Sequence, residues 1–442
     1  MAETDRSPEL HLFVLWEKAR FAEKRILADV AKELEIVCTR ELRFEGDPMR
    51  CYRAFYGPAL PDSRRKLDTC GGGAFLLVVV RDLKPAYGSC MVDGFPYSNV
   101  DVRLVTLKCR YRNWAGRHHR VHGTTTRAEF ARDVLMLTGH TADEWGRGVP
   151  AGDWKMRLPS TWMAVSALRP FGARHAAPGP EPEIQGARVF LENKYINDAF
   201  LEGTFQGVPC VVKKTKKAVW SIGNEYRIAG RLYAAAPAVV PCPLAWWYDC
   251  DAHAAAVATA KVAGPSLTEL LARGVTDAQA DGFAADIRTL AEALKREGVL
   301  HRDLFSDNLL LDADGHLKAI DWQLAIDRKR YHEDPWVVRH WKFHYVVFGV
   351  NRELGMGVWN DFHALGKVLA LLPQTAAVKD VAAWLAAEEP EMTFAAPPDR
   401  WTRVRLWLYA ISLRLQMVLN RGRPEKYARL ERRLRTICGV RA

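Results

Sequence analysis

Apolar positions along this chain follow two regimes. In the first 165 or so residues, short apolar runs with strand character alternate with stretches of helical period. His11–Trp16 reads as a strand, and from Glu17 to Glu33 the apolar residues return at helical spacing, which predicts an amphipathic helix. Leu34–Cys38 and Phe75–Val80 read as further strands, the second entered through Gly71, Gly72 and Gly73. Strand–helix–strand order predicts a small α/β domain with some parallel pairing. The stretch Arg169–Glu183 is rich in Pro, Gly and Ala and has no periodicity, so a linker is expected at 168–186. It divides an N-terminal domain (1–167), whose role the sequence leaves open, from a second domain (187–442).

Past the linker the pattern changes. Arg188–Asn193, Asp198–Phe205 and Val208–Lys214 read as strands, the last two joined by a tight hairpin at Gln206-Gly207. A helix is expected around Ser221–Ala235 and a strand at Ala254–Ala260. Trp246, Trp247 and Tyr248 fall in the fourth strand region and read as core. Helices dominate beyond Thr276, interrupted by the strand pair Leu309–Leu311 and Leu317–Ile320. Strands first and helices after describe a bilobal α+β domain preceded by the small α/β one.

Composition changes this picture in one place. With 49% apolar and 26% charged residues the chain has the balance of a globular protein. Acidic residues stand at the N-terminus where a signal peptide carries Lys or Arg, and the longest apolar run, Ala74–Val80, is far short of the roughly 20 residues of a membrane span. Nine cysteines without a C-x-x-C pair suit reduced thiols, and a cytoplasmic location is expected. The net charge of +11 is concentrated: Arg400–Ala442 holds twelve Lys/Arg against Glu425 and Glu431. Two basic helices are expected there, Trp401–Leu419 and Pro424–Ile437, which either pack inward or attach to the anionic inner face of a membrane. No nucleic-acid motif accompanies them, so no sequence-specific nucleic-acid partner is expected.

Chemistry is concentrated in His301-Arg-Asp-Leu-Phe-Ser-Asp-Asn308, followed thirteen residues later by Asp321. Phosphoryl transfer needs a carboxylate to take the proton of the attacking hydroxyl and ligands that hold Mg²⁺ on the nucleotide phosphates. Asp303 and Asn308, five apart on one loop, can serve opposite sides of the transferred group. The Asp312-Ala-Asp-Gly315 turn then returns the chain so that Asp321 emerges at a strand end.

These residues resemble the protein-kinase-like superfamily, whose catalytic loop reads H-R-D-x-x-x-x-N and whose metal-binding Asp opens D-F-G. The resemblance covers about residues 187–372 and implies ATP and Mg²⁺ as cofactors. By it, Asp303 is the catalytic base, and Asn308 and Asp321 are metal ligands. Lys213 holds the nucleotide phosphates and pairs with Glu225, with Lys214 as the close alternative. Ala263 and Gly264 lie in the hinge that receives adenine, Asp361 braces the catalytic loop, and the turn containing Asn197 and Asp198 covers the phosphates. There are departures. No G-x-G-x-x-G loop is present, Phe305 stands two residues after Asp303 where protein kinases carry Lys, Gln323 replaces the D-F-G glycine, and no A-P-E segment follows. They make the chain more similar to bacterial lipopolysaccharide-core and Kdo sugar kinases, and imply phosphorylation of a hydroxyl on a sugar, glycolipid or surface polysaccharide. The alternatives are a protein Ser/Thr kinase and a pseudokinase scaffold whose N-terminal domain binds a polyanion.

In the N-terminal domain, Arg103, Lys108, Arg110, Arg112, Arg120 and His122 form a basic group suited to phosphates or an acidic sugar. Gly88-Ser89 with Asp101-Val-Arg103 is similar to a nucleotidyltransferase signature, but Arg103 occupies the place of its second metal-binding acid.

Overall fold

The computed structural model describes residues 7–57, 60, 62–92, 95–116, 119–165, 176–192, 199–216, 219–328, 354, 358–395 and 400–438. The chain divides into two units: Met1–Met163 with Ala176–Glu181 and Tyr248–Ala254, and the remainder, Ala164–His175, Pro182–Trp247 and Ala255–Ala442.

The first unit runs β1 (Glu9–Leu15), α1 (Glu23–Glu33), β2 (Glu35–Leu42), α2 (Pro48–Tyr56), α3 (Ser63–Cys70), β3 (Phe75–Asp82), the hairpin β4 (Tyr87–Val92) and β5 (Phe95–Asp101), α4 (Val102–Trp114), β6 (Val121–Gly123), α5 (Arg127–Thr138), α6 (Ala142–Arg147), β7 (Thr161–Val165) and β8 (Ala177–Pro178). Its sheet has the order β2-β3-β1-β6, and every pairing in it is antiparallel. This corrects the expected parallel pairing. The unbroken apolar runs of β1 and β3 arise because both their faces are covered, a property usually associated with parallel sheets. On one face Phe13, Leu15, Val78 and Val80 pack with Ile26 and Val30 of α1 and Leu104, Leu107 and Tyr111 of α4. Aspartates begin several helices: the Asp47, Asp62 and Asp101 carboxylates accept backbone N–H groups of the first turns of α2, α3 and α4.

The second unit begins with strands. β9 (Gln185–Glu192), β10 (Ala199–Phe205) and β11 (Val208–Thr215) precede α7 (Val219–Ala235), then β12 (Pro243–Asp249) and β13 (Ala254–Ala260), in the sheet order β12-β13-β11-β10-β9. Gln206 (φ 49°) and Gly207 (φ 82°) both take left-handed backbone, the requirement of a two-residue hairpin that matches strand twist. Helices follow: α8 (Leu267–Arg273), α9 (Asp277–Glu297), α10 (Asp361–Leu369), α11 (Ala376–Met392), α12 (Arg400–Leu419) and α13 (Pro424–Cys438). Among them lie the short pairs β14 (Val299–Leu300) with β17 (Ile326–Asp327), β15 (Leu309–Leu311) with β16 (Leu317–Ala319), and β18 (Val358–Trp359) with β19 (Phe394–Ala395). One core joins α7, α9, α10 and α11, with Ile228, Leu232, Ile287, Leu294, Phe362 and Leu385 among its members. α12 and α13 form a separate cluster in which Leu406, Ala410, Leu413 and Leu430 pack with Trp359. Among the described residues no helix is long and apolar enough to cross a membrane.

Candidate functional site

Alternation along β11 gives Lys213 and Lys214 opposite faces. Lys213 Nζ lies 2.7 Å from Glu225 Oε1 of α7 and 2.7 Å from Asp321 Oδ1, just beyond β16; Lys214 makes neither contact. Glu225 is buried and Lys213 nearly so, while the Asp321 side chain is one-third exposed. Burial works against the Lys213 ammonium, but the Asp321 and Glu225 charges outweigh it and raise its pKa. The same lysine overcomes burial at Asp321 and holds that carboxyl below its ordinary value. At Glu225, burial wins and the pKa is raised.

The segment from His301 to Asn308 leaves β14 and is pinned from behind. The buried Asp361 carboxylate, at the start of α10, accepts the backbone N–H groups of His301 and Arg302, the latter at 3.0 Å. Arg302 takes left-handed backbone (φ 72°), its Nε donates to Leu324 O at 2.7 Å, and its guanidinium lies 5.6 Å from the Trp359 ring. His301 Nε2 pairs with Ile320 O at 2.8 Å, and its ring meets Trp322 edge-on. Burial pushes His301 down to about 4, so it is neutral at physiological pH.

These anchors set Asp303 beside Asn308. Asn308 Nδ2 donates to Asp303 O at 2.9 Å and reaches Asp303 Oδ2 at 3.4 Å. Burial, with the Asp321 charge behind it, pushes Asp303 up to about 7. Asp321 is itself left-handed (φ 68°) and begins the tight turn Trp322–Leu324. For a non-glycine residue such backbone is strained, and here it aims the carboxylate at Lys213.

Sequence reasoning missed the residues that support this arrangement from α7. Gln323, at the place of a glycine in the related motif, is buried and donates to Ser221 Oγ at 2.6 Å, while Asn224 Nδ2 donates to Ala325 O at 2.7 Å. A polar residue on a predicted buried helix face was the available signal. Ala263 and Gly264 follow β13. A Cβ on Gly264 would meet Leu311 O at 2.0 Å, and Leu311 N donates to Pro265 O at 2.9 Å. Asn197 and Asp198 lie outside the described residues.

The donors present suit Mg²⁺, a hard cation that takes oxygen ligands. Asp321 offers a carboxylate. The Asn308 amide nitrogen is turned to Asp303, which leaves its amide oxygen without a donor among the described residues. No group of three or more His, Cys, Asp or Glu side chains suited to a metal occurs among the described residues. Mg²⁺ is commonly held by one or two carboxylates together with substrate phosphates, which agrees with this sparse set.

No protein-family model matches the chain, and no curated protein matches it. Among solved structures it is similar to the kinase PK-1 of Cydia pomonella granulovirus, with 15% sequence identity and a TM-score of 0.27, over 32% of this chain and 52% of that one. The chain thus spans about half the length of that kinase. At this level of overlap the weight rests on the side-chain geometry.

Proposed function

We propose that this chain is a phosphotransferase that moves the terminal phosphoryl group of Mg-ATP to a hydroxyl of a sugar or glycolipid. The observation that carries the reading is the convergence of Lys213, Glu225 and Asp321 from three separate elements beside the Asp303–Asn308 loop that Asp361 braces. In this reading Lys213, held by Glu225, binds the nucleotide phosphates. Ala263 and Gly264 offer backbone to adenine, with Asn197 and Asp198 assigned to the turn above the phosphates. Asp321 and the Asn308 amide oxygen hold Mg²⁺, which supplies the charge that offsets the phosphates. Asp303, with its pKa near 7, accepts the proton of the attacking hydroxyl, and the Asn308 amide keeps its carboxylate in place.

A sugar or glycolipid acceptor, rather than a protein, is supported by Phe305 and Gln323, which differ from the protein-kinase pattern. A further support is α12. Its inner side packs on Trp359, while Trp401, Trp407, Leu408, Leu415 and Leu419 are exposed on the rest of its surface. Arg400, Arg403, Arg405 and Arg414 are exposed beside them. Aromatic and aliphatic residues interspersed with arginine match an anionic lipid interface, and the enzyme would work there as a peripheral protein on the cytoplasmic leaflet.

The deciding experiment is an ATP-turnover screen of the full chain against sugar, glycolipid and protein acceptors, with the phosphorylated product identified by mass spectrometry. Transfer to a protein serine alone would replace the acceptor class. Mg-ATP binding without transfer to any acceptor would favour the scaffold reading instead.

A further inference from the structure

The first unit gathers positive charge that phosphotransfer at Lys213 leaves unused. The structure sorts the six basic residues noted in its sequence. Arg103 is paired with Asp82, Arg110 with Asp29 at 2.8 Å and Glu33 at 3.3 Å, and Arg120 donates to the carbonyls of Thr69 and Ala115. These three are accounted for by the fold. Lys108, Arg112 and His122 belong to a cluster completed by two residues that the sequence did not single out, Lys66 of α3 and Arg132 of α5.

Lys66 is only 8% exposed. Its Nζ donates to His119 O at 2.9 Å and lies 4.4 Å from the centre of the Tyr56 ring. The other edge of this chain of contacts is His122, whose ring meets Tyr56 at 5.6 Å and whose Nε2 is 2.7 Å from Asp133 Oδ2. Arg132 reaches the second oxygen of Asp133 at 2.7 Å. Lys108 and Arg112, one turn apart on α4, face the same place, and Arg112 Nε donates to Val121 O at 3.0 Å.

The local charges do not balance. Asp133 is taken up by His122 and Arg132, and Glu129 Oε2 accepts from Thr125 N at 2.6 Å and Thr125 Oγ1 at 2.9 Å. Among the described residues Lys66, Lys108 and Arg112 form no ion pair. Burial pushes Lys66 down to about 8, and Arg112 and Lys108 press in the same direction. Lys108 is lowered too, by burial first, while Glu129 opposes the shift. Burying the Lys66 cation without a counterion is costly, and the half-buried Lys108 and Arg112 add two more positive charges beside it, so the place favours an anion.

We propose that Lys66, Lys108 and Arg112, backed by the His122–Asp133–Arg132 chain, form a binding site for a phosphoryl group carried by a small molecule. Two compact ammonium groups and a guanidinium present many donors around a centre, which suits the several oxygens of a phosphate dianion better than a single carboxylate. This inference stands apart from the phosphotransfer reading, because none of its residues belongs to the Lys213 site.

The test is thermal unfolding and calorimetric titration of the full chain with pyrophosphate at constant ionic strength, with chloride as the reference anion. Pyrophosphate should bind and raise the unfolding temperature. Lys108→Met and Lys66→Met should each weaken binding by at least about tenfold while leaving the anion-free unfolding temperature unchanged or higher, since each removes a repelled cation. Arg110→Gln, on the same helix but outside the cluster, should bind as the parent does. Lys213→Met should also retain binding, which separates this site from anions held at the nucleotide site. If Lys66→Met fails to fold, Lys108→Met decides alone. Absence of pyrophosphate binding, unchanged affinity in Lys108→Met, or loss of binding in Lys213→Met would each overturn the proposal.

Discussion

Lys213 Nζ bridges two carboxylates, Glu225 and Asp321, at 2.7 Å each, so one strand residue ties α7 to the turn that begins at Asp321. Removing it leaves the buried Glu225 carboxylate facing the partly exposed Asp321 carboxylate. Lys213→Met is expected to lower kcat/KM for ATP by at least about 100-fold and to destabilise the fold by about 3–5 kcal/mol, the usual effect of breaking a buried pair. Lys214→Met should stay within about twofold of the parent. Steady-state kinetics and urea unfolding of the two variants check both statements, and equal small effects would remove Lys213 from its role.

Asp303→Asn keeps the shape of the side chain and its place beside Asn308 but cannot take a proton. Turnover should fall by about 100- to 10,000-fold, while Mg-ATP affinity measured by titration changes little. Turnover within about threefold of the parent would show that another group is the base.

Asp361 contributes to stability rather than to chemistry. Asp361→Ala leaves the N–H groups of His301 and Arg302 buried without an acceptor, at about 1–3 kcal/mol each. The unfolding temperature and the rate should fall together. Asp361→Asn, which can still accept through its amide oxygen, should recover part of both.

The cationic cluster of the first unit predicts a pH dependence with a definite sign. The folded Lys66 has its pKa near 8 and an unfolded lysine near 10.5, so between these values the unfolded chain holds a proton that the folded one has released. Stability from this group therefore rises with pH through that window, and the full penalty is present below pH 8. Lys66→Met should be more stable than the parent at pH 7, by an amount on the order of 1–3 kcal/mol, and the gap should narrow by pH 10. Lys108, which faces Lys66, is lowered by burial in the same direction, so the effect is read from the difference between Lys66→Met and the parent at each pH. Urea unfolding at the two pH values measures it.

Membrane attachment through α12 and α13 is open to a direct measurement. Each Lys or Arg near an anionic surface contributes about 1 kcal/mol, so four or five suffice for reversible binding. The full chain should co-sediment with acidic liposomes at low salt and be released at high salt, and removal of Arg423–Ala442 should weaken the binding. If neither form binds at low salt, the basic helices serve packing alone.

The sequence was most informative where one residue type has one physical use. The Gln206-Gly207 hairpin was legible because left-handed backbone at two successive positions has few alternatives to such residues. The spacing of Asp303, Asn308 and Asp321 was legible because a loop and a strand return fix where the three must lie. What spacing could not supply was the third partner of each group: Asp321 resting on Lys213, Gln323 on Ser221, Arg302 against Trp359. Strand direction in the first unit was misread because burial of both faces erases the alternation that distinguishes antiparallel strands. The basic group of α4 was legible as charge, but only the fold separates Arg103 and Arg110, neutralised by their own carboxylates, from Lys108 and Arg112.

The close approach at Gly264 has a mechanical consequence. Leu311 O sits where any side chain at that position would begin, and Leu311 N is bonded to Pro265, so the segment after β13 is fastened backbone to backbone to the strand that leaves Asn308. In the proposed reading, the segment assigned to adenine and the strand that follows the proposed metal ligand Asn308 are therefore held together as one piece. Any side chain at position 264 would have to push the Leu311 carbonyl away, and both segments would loosen together.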